Sequence, residues 1–377
     1  MPALPSIFSV QVAFEPLPPQ LMHALRQIEV ETAIGQASIL RLHFDLSRTF
    51  VGDLDVLAFD VFLPLSPISI RLSSLFGVPQ CLINGFITDT KLGAQNQPGQ
   101  STFEVVAIDA LGATMSHIQQ PWAWTNLPDS AIAQAIFTRY GMLPVVAPTP
   151  PTRTMNDTTT IQRVHDAAFL IQLANRHCYE VYVQPDPVTG RDIGHFHPPQ
   201  TLVPPQGILS VDFGTQTNLT HFHPSYDALR PTSVLTAASD PFTRAVVHIS
   251  GRMSIDPPMG KEPTLARILP PPIERMYCTD AANPAEMQAQ ALARATCSSR
   301  IIRATGEVDG IKYARPLLAG LPVLVRGAGR QHSGLYYVTS VTHRISRDDY
   351  VQSFSAWRNA VGLTGAEVFT DPLAGVA

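Results

Sequence analysis

This chain lacks the features of a membrane-spanning, secreted or DNA-binding protein. No stretch reaches the roughly 18 consecutive apolar residues that a membrane helix needs, and the longest, around residues 56–65 and 317–325, are typical of strands. Residues 1–14 contain no basic segment followed by an apolar one, so no secretory signal is expected. The net charge of -4 argues against a surface for duplex DNA. We therefore expect a soluble protein without membrane insertion and without nucleic-acid specificity.

Cysteine is also scarce. The four cysteines lie far apart and have no CxxC spacing: Cys81, Cys178, Cys278 and Cys297. For a protein made in the cytosol, this pattern predicts reduced and mostly buried thiols. We interpret Cys278 and Cys297, which flank the predicted start of a helix, as structural residues.

Catalytic motifs are absent as well. The sequence contains no nucleophile elbow, no HExxH zinc helix and no phosphate-binding loop, and the glycine-rich run 327–332 is interpreted as a hairpin turn. The acid pairs Asp53/Asp55 and Asp348/Asp349 are interpreted as solvated turn residues. A glycosidase needs two carboxylates that face each other across a cleft, and no pattern here predicts such a pair. We expect no enzymatic activity and no cofactor.

Proline, in contrast, is abundant, with 34 residues. Because proline breaks helix interiors, this number favours a mainly β protein with rigid connections. Apolar and polar residues alternate in residues 36–46, in Pro67–Leu72 and in Thr102–Ile108, which is the pattern of half-buried strands. Residues 1–116 are therefore predicted to form a first β domain, a small barrel or sandwich.

The pattern becomes helical in residues 117–200. Asp129 or Ser130 is predicted to cap a helix that Gly141 ends, and a second helix is predicted over residues 161–177. A strand over residues 179–184 follows. This segment is predicted to be an α/β insert.

Strand patterns return in residues 201–255 and 300–361, which are predicted to form a second β domain. Between them lies a proline-rich excursion, residues 256–299, in which a helix is predicted from Asn283 to about Ser298. Residues 362–377 are predicted to be a weakly ordered tail. Two β segments thus bracket the α/β insert.

A four-residue motif occurs twice, as His195–Phe196–His197–Pro198 and as His221–Phe222–His223–Pro224. Residues i and i+2 of a strand share a face, so neighbouring strands could bring the four histidines, His195, His197, His221 and His223, to one zinc or nickel ion. In the alternative interpretation, Phe196 and Phe222 point into a core and the histidines face water. We expect no metal, and keep the four histidines as candidates.

The order of four stretches resembles a known family. The stretches are residues 122–142, residues 161–183, residues 194–199, and residues 334–343 with Tyr350, Phe354, Arg358 and Asn359. Together they resemble the phage late-control protein D family, the baseplate hub proteins of contractile tails and injection systems. The hub portion of VgrG spikes is similar. The resemblance covers roughly residues 8–361 and is most specific in the last stretch.

The resemblance implies two related antiparallel β-barrel domains that flank a mixed helix/strand domain, and a trimeric ring. Such a ring adapts a six-fold inner tube to a three-fold central spike. The partners it implies are two further copies of the chain, inner-tube and tube-initiator proteins, and baseplate wedge proteins. VgrG chains continue into their own spike and this sequence stops at Ala377, so a separate spike protein is expected. Assembly is expected in the cytoplasm, followed by incorporation into a virion tail or an injection particle.

The ring wall is predicted to involve three strands, over residues 36–46, 335–342 and 350–357. The candidate interface residues are Leu40, Leu42, Phe44, Tyr336, Val338, Tyr350 and Phe354. Each could equally be a core residue. Two other functions stay open. One is a tail-associated peptidoglycan hydrolase with its site in the insert, and the other is a tail-tip protein that binds a host surface or carbohydrate through Trp122–Trp124.

Overall fold

The protein is mainly β, as predicted. The computed structural model describes residues 8–49, 52–72, 80–97, 99–117, 121–149, 159–187, 189–230, 232–239, 245–267, 272–276 and 283–369. The strands are β1 (Phe8–Val12), β2 (Glu15–Pro16), β3 (Leu25–Ala33), β4 (Ile39–Asp45), β5 (Pro67–Leu72), β6 (Gln80–Gly93), β7 (Thr102–Ile108), β8 (Trp122–Trp124), β9 (Leu143–Val146), β10 (Thr160–Gln162), β11 (Glu180–Pro185), β12 (Asp192–His197), β13 (Ile208–Ser210), β14 (Leu219–Tyr226), β15 (Ser233–Ser239), β16 (Val246–Gly251), β17 (Glu262–Pro263), β18 (Ile273–Arg275), β19 (Ile302–Asp309), β20 (Pro322–Arg326), β21 (Gly334–Ser346), β22 (Tyr350–Arg358) and β23 (Ala360–Val361).

Helices are fewer. The α-helices are α1 (Pro19–Ala24), α2 (Ala110–Ala113), α3 (Asp129–Arg139), α4 (Asp166–His177), α5 (Thr264–Arg267), α6 (Pro284–Ser298), α7 (Gly310–Tyr313) and α8 (Gly329–His332). Among the described residues, 3-10 turns lie at Leu57–Phe59 and Gly214–Gln216. In the part of the chain that the structure describes, no helix is long and apolar enough to cross a membrane.

One 13-stranded sheet runs through both β segments, in the order β14-β19-β22-β21-β3-β4-β7-β6-β5-β1-β2, with β20 attached to β21 and β13 to β20. Its pairs are antiparallel except for β13 with β20. The expectation of closed barrels is wrong: among the described residues, no barrel closes. Instead β21 of the second β segment pairs with β3 of the first. This pairing gives hydrogen-bond partners to the backbone N–H and C=O groups at the edges of β3 and β21. In a closed barrel, those groups would be paired by strands of the same barrel.

Alternation within the strands separates the core from the surface. In β4, Leu40, Leu42 and Phe44 are buried, whereas Arg41 and His43 are partly exposed. The first large core cluster collects residues from Val10 to Ala107, together with Ile345 and Tyr350 from the last two long strands.

Two more large clusters follow, one from Ala110 to Phe196 and one from Leu209 to Val361. A small fourth cluster lies between α6 and the sheet of β15, β16 and β18. The domain boundaries drawn from the sequence stay a prediction.

The insert contains the two predicted helices with different ends. The first, α3, begins at Asp129 and is followed by Gly141 with a positive φ of 71°. Asp129 does not cap it, because its carboxylate pairs with the imidazole of His177 instead (2.9 Å). The second helix, α4, begins at Asp166 rather than at residue 161. Its predicted first turn is strand β10, which pairs with β8, and the side chain of His165 caps the helix.

The excursion within the second β segment carries the third predicted helix. Asn283 caps α6 as expected, since its side chain accepts a hydrogen bond from the backbone N–H of Glu286 (2.9 Å). The packing of α6 against α4 brings Cys297 to Cys178, and the two form a disulfide with a Cα–Cα distance of 5.9 Å. The prediction of reduced thiols is therefore wrong for this pair. Cys81 is a buried free thiol, and Cys278 lies outside the described residues.

Candidate assembly surfaces

The two β segments repeat one strand order. In the first half the order is β3-β4-β7-β6-β5, and in the second half it is β14-β19-β22-β21-β20. We number the five strands of each half along the chain and leave out β15–β18, which belong to other sheets. The order across the sheet is then 1-2-5-4-3 in both halves. The halves are therefore duplicates in topology, although their sequences show no obvious repeat.

A bulge near the start of the first strand occurs in both halves. The register of β3 with β4 shifts between Leu25 and Gln27, and that of β14 with β19 shifts between Leu219 and His221. Aligning these two bulges gives each residue of the first half's paired strands a counterpart in the second. The cross-strand registers extend this correspondence to β7 and β6, and to β22 and β21.

A second bulge checks the correspondence independently. The register of β6 with β7 shifts between Ile87 and Asp89, and that of β21 with β22 between Val338 and Ser340. The alignment made at the first bulge pairs Ile87 with Val338 and Asp89 with Ser340. The second bulges therefore fall on the same positions. Because bulges are specified features of a strand pair, the two halves share one sheet design in detail.

Side chains repeat at this bulge as well. The bulged residue is Thr88 in the first half and Thr339 in the second. The hydroxyl of Thr88 donates to the carbonyl of Val106 (3.4 Å), and that of Thr339 donates to the carbonyl of Ser355 (3.1 Å). Val106 and Ser355 are counterparts, so the same hydrogen bond stabilises the same bulge twice.

The turn before the third strand is also shared. Leu65 and Gly320 both have positive φ angles, 62° and 84°. The N–H of Leu65 donates to the backbone carbonyl of Ile87 (2.8 Å), and that of Gly320 donates to the backbone carbonyl of Val338 (2.9 Å). Ile87 and Val338 are counterparts. A leucine in the left-handed region is uncommon, so this agreement reflects the same turn and not a coincidence of composition.

The halves are joined by the pairing of β3 with β21, which we call the internal joint. It contains seven residue pairs, from Gln27 with Ser346 to Ala33 with Ser340. On its outer face, Glu29 lies 3.2 Å from Arg41 and 3.8 Å from Arg344.

On the inner face of the internal joint, Val341 and His343 are buried. The His343 imidazole hydrogen-bonds the hydroxyl of Tyr350 (2.9 Å), and burial lowers its pKa to about 4. His343 is therefore neutral at pH 7, and it adds no unpaired charge to the joint.

Within the described residues, the counterparts of both joined strand edges have no partner strand. Strand β14 corresponds to β3, and among the described residues no strand pairs with its outer edge. Residues 88–93 of β6 correspond to residues 339–344 of β21, and the edge that would match the joint has no partner strand within the described ranges. Leu92 is 50% exposed, whereas its counterpart His343 is 1% exposed. Residues 88–93 of β6 are thus exposed in the first half, whereas Val341 and His343 at the corresponding positions of β21 are buried.

An arginine-rich groove lies beside the end of β14. Its volume is about 470 Å³, and its walls include Arg230, Arg300, Arg303 and the disulfide. Arg300 is held by Asp256 (2.9 Å) and lies over the ring of Trp357. In the described part of the chain, Arg230 and Arg303 have no carboxylate within ion-pair distance. Burial and the charge of Arg303 lower the pKa of Arg230, and nearby Asp227 acts in the opposite direction.

The residues predicted for the ring wall lie in the cores instead. All seven are at most 3% exposed: Leu40, Leu42, Phe44, Tyr336, Val338, Tyr350 and Phe354. Their side chains pack inside the single chain, which favours a role in the core, and their assignment to the ring wall stays a prediction. Their strands, β4, β21 and β22, do belong to the large sheet, whose opposite face carries polar side chains such as Arg41 and Ser355.

The two histidine motifs occupy different sheets and do not converge. His195 and His197 lie on β12 in the insert, hydrogen-bonded to each other (3.2 Å), and burial lowers the pKa of His195 to about 3. His221 and His223 are exposed on β14. No group of three or more His, Cys, Asp or Glu side chains among the described residues could hold a metal ion. The four-histidine metal hypothesis is therefore contradicted by the fold.

The acidic residues of the insert are engaged in structural contacts. The carboxylate of Asp166 accepts hydrogen bonds from Arg139 (3.2 Å), Tyr140 (2.8 Å) and Gln162 (2.6 Å). The carboxylate of Glu180 accepts one from the hydroxyl of Tyr337 (2.5 Å), and burial raises its pKa to about 7. These carboxylates hold elements together, and Glu180 is a buried residue of the wall of the arginine-rich groove.

The acid pairs outside the insert are turn residues, as interpreted. Asp55 accepts hydrogen bonds from the N–H of Ser47 (3.0 Å) and of Val56 (2.9 Å), and Asp349 lies in the β21–β22 turn. Of the aromatic pair proposed for surface binding, Trp122 is exposed and Trp124 is buried against Gln162 (3.1 Å).

Sequence reasoning missed the free edges. The available signal was in β6, where alternation stops after Ile87 and the next four residues, 88–91, are all polar or charged. A strand that continues past its partner β5 with such residues presents an open edge.

Comparison with known proteins shows this fold elsewhere. No family model and no curated protein sequence matches the chain. A tail protein from Neisseria meningitidis is similar in structure, with a TM-score of 0.65, 13% identity, and coverage of 94% of this chain and 96% of that one. The 43 kDa tail protein of prophage MuSo2 from Shewanella oneidensis follows, with a TM-score of 0.60, 11% identity, and coverage of 94% and 97%.

A third neighbour is an Escherichia coli component of the type VI secretion system, described as structurally similar to the T4 tail proteins gp27 and gp5. It has a TM-score of 0.55 and 14% identity, and the match covers 93% of this chain and 76% of that one. The predicted resemblance to tail and baseplate proteins is thereby confirmed at the level of fold.

Proposed function

We propose that this chain is a structural baseplate hub protein of a contractile phage tail or contractile injection system. Three copies form a ring that joins a six-fold inner tube to a three-fold central spike. One observation carries the proposal: the chain contains two halves with the same strand order and the same bulges, joined edge to edge. A head-to-tail joint between like units builds a ring when the rotation from one unit to the next closes.

The symmetry argument follows from the duplication. Three copies with two like halves each present six similar sheets, which suits a six-fold partner. The halves also differ, because the second carries the excursion with α6 between its first two strands, whereas β3 and β4 are joined by a short turn. A partner that contacts the differing parts meets three identical sites, which suits a three-fold spike.

The partners belong to the proposal too. They are two more copies of this chain, a separate spike protein, inner-tube and tube-initiator proteins, and baseplate wedge proteins. The neighbours support a place in a tail particle, since two are tail proteins and one is a type VI secretion component described as similar to T4 tail proteins. Assembly in the cytoplasm before incorporation into the particle completes the proposal.

The proposed role needs no catalysis. It is supported by the structural contacts of Asp129, Asp166 and Glu180, whose carboxylates are held by neighbouring side chains. In this proposal residues 1–116 and 201–255 with 300–361 are the two hub domains, residues 117–200 are the insert, residues 256–299 the excursion and residues 362–377 a tail.

Native mass spectrometry of the purified chain tests the ring. We expect a species of three copies. A chain that stays a single copy at every concentration would contradict the proposal. Deleting the gene in a particle-producing host provides the functional arm: particles should lack an attached spike, and the wild-type gene should restore it.

A further inference from the structure

We propose that β14 of one copy pairs antiparallel with residues 88–93 of β6 in the next copy, so that each contact between copies repeats the internal joint. This inference rests on the proposed ring and names the surface that closes it. The occupant of each free edge is thus a second copy of this chain.

The correspondence between the halves fixes the register. In the internal joint, Glu31 lies opposite Thr342 and Ala33 opposite Ser340. Ser225 is the counterpart of Glu31 and Lys91 that of Thr342. The joint between copies therefore places Ser225 of one copy opposite Lys91 of the next.

Burial supports the pairing. In the internal joint β3 and its neighbours cover Val341 and His343, which are buried. Their counterparts on β6 are Thr90 and Leu92, and both are exposed in the single chain. At the other edge, Tyr226 and Leu229 are exposed large apolar residues at the end of β14. A second copy at this position would cover apolar groups on both sides.

Charge supports it as well. The register places Asp89 of one copy near the end of β14, opposite Asp227 of the next. Two carboxylates alone would repel each other. Arg230 and Arg303 lie beside that position, and no carboxylate of the described residues, Asp227 included, lies within ion-pair distance of either. The incoming Asp89 therefore meets an excess of positive charge.

One residue makes the joint between copies weaker than the internal joint. The N–H of Ile34 donates to the carbonyl of Thr339 (2.9 Å), and antiparallel alternation then directs the N–H of Val30 toward β21 as well. The counterpart of Val30 is Pro224, which has no N–H. The joint between copies lacks that hydrogen bond, and the proline protects β14 from indiscriminate pairing before assembly.

A cysteine pair tests the register. In antiparallel strands, non-hydrogen-bonded opposite residues have Cα atoms about 4.5 Å apart, within the range of a disulfide. Ser225 and Lys91 form such a pair, so the double variant Ser225→Cys/Lys91→Cys should link copies under mild oxidation. Non-reducing electrophoresis should show a covalent species of three chains that reductant removes. The matched control, Ser225→Cys/Thr90→Cys, moves one cysteine to the opposite face and should give little of it.

The outcomes separate this inference from the proposed function. Three copies by native mass spectrometry without cross-linking at this pair, or equal cross-linking of the control, overturns the joint and leaves the hub proposal standing. A variant and parent that both remain single copies overturn the ring and the joint together. Far-ultraviolet circular dichroism of each variant verifies that it is folded. A misfolded variant is replaced by His223→Cys/Gly93→Cys, the next non-hydrogen-bonded pair in the same register.

Discussion

The first and second halves of the sheet follow one design but use one edge differently. In the second half, β3 covers residues 340–346 of β21 and buries Val341. In the first half, the corresponding part of β6 is exposed. The same strand is therefore an internal element in one half and an open edge in the other. Each chain therefore forms one such joint internally, between β3 and β21. The corresponding edges of β14 and β6 have no partner strand among the described residues.

The insert also contacts the halves differently. Tyr337 hydrogen-bonds Glu180 of the insert through its hydroxyl, whereas its counterpart Phe86 packs against the apolar core of the insert. The disulfide adds a second link to the second half alone, from Cys178 to Cys297. The insert is therefore linked covalently to the second half, whereas it forms hydrogen bonds with both halves. In the first half, the side-chain amide of Asn84 donates to the carboxylate of Asp192 (3.0 Å).

The largest effect is expected from a variant that breaks the internal joint. Val341→Asp places an unpaired charge at a buried position and should cost more than about 4 kcal/mol of stability. Thr90→Asp, the matched change at the corresponding exposed position, should alter the stability of the single chain by less than about 0.5 kcal/mol. Chemical denaturation of both variants at low concentration measures the difference. Equal destabilisation by the two would show that the edges are not used differently.

Loss of the disulfide should be the next largest effect. Cys178→Ser/Cys297→Ser removes a link across 119 positions, and long loops of this kind contribute about 2–5 kcal/mol. Thermal unfolding should begin at a lower temperature, with faster amide exchange in α6 than in β4. The same treatment with reductant should reproduce the effect in the parent protein. If reductant leaves the parent unchanged, the two thiols are not bonded in the folded protein.

A smaller effect should appear in the pH dependence. Burial raises the pKa of Glu180 from 4.5 to about 7, so the folded state binds this proton more tightly than the unfolded state. The carboxyl therefore lowers stability as the pH rises from about 4.5 to 7, and the cost is complete above pH 7. Glu180→Gln should be more stable than the parent at pH 8 by on the order of 2–3 kcal/mol, and similar to it at pH 4.

Denaturation of both proteins across this pH range gives a difference curve that isolates Glu180, because the other titrating groups are shared. A difference that does not change with pH would contradict the assignment. Tyr337→Phe provides a second comparison, since it gives the second half the residue type of Phe86 in the first.

The smallest expected effect is a stronger association between copies along β14. Pro224→Val restores the N–H that β3 has at Val30, and one hydrogen bond is worth about 1 kcal/mol, or roughly a fivefold lower dissociation concentration. Sedimentation at several concentrations measures this. Pro198→Val changes the same motif at the end of β12 and should have no such effect. Weaker association of the Pro224 variant would argue against pairing along β14.

The sequence predicted the strands well because alternation reports which residues share a face. It could not report which face a second chain covers, and for this reason core residues such as Leu40 and Phe354 were assigned to the ring wall. The joint is made by backbone edges, which leave little side-chain pattern to read. The repeated motif did not predict a shared role either, since His195 is half-buried in the insert and His221 is exposed on an edge strand.

Pairing over long separations was equally hidden. Nothing in the spacing of Cys178 and Cys297 predicts that α4 and α6 pack together, and this packing alone makes the disulfide. The helix at Asn283 was predicted well, in contrast, because its cap and first turn are local. Local signals were readable, and contacts between distant segments required the fold.

Electron cryo-microscopy of the purified oligomer tests the central claim most directly. We predict a closed ring of three copies in which β14 of each copy continues into β6 of the next, with Ser225 opposite Lys91. A ring in which residues 219–226 and 88–93 both face solvent would contradict the account.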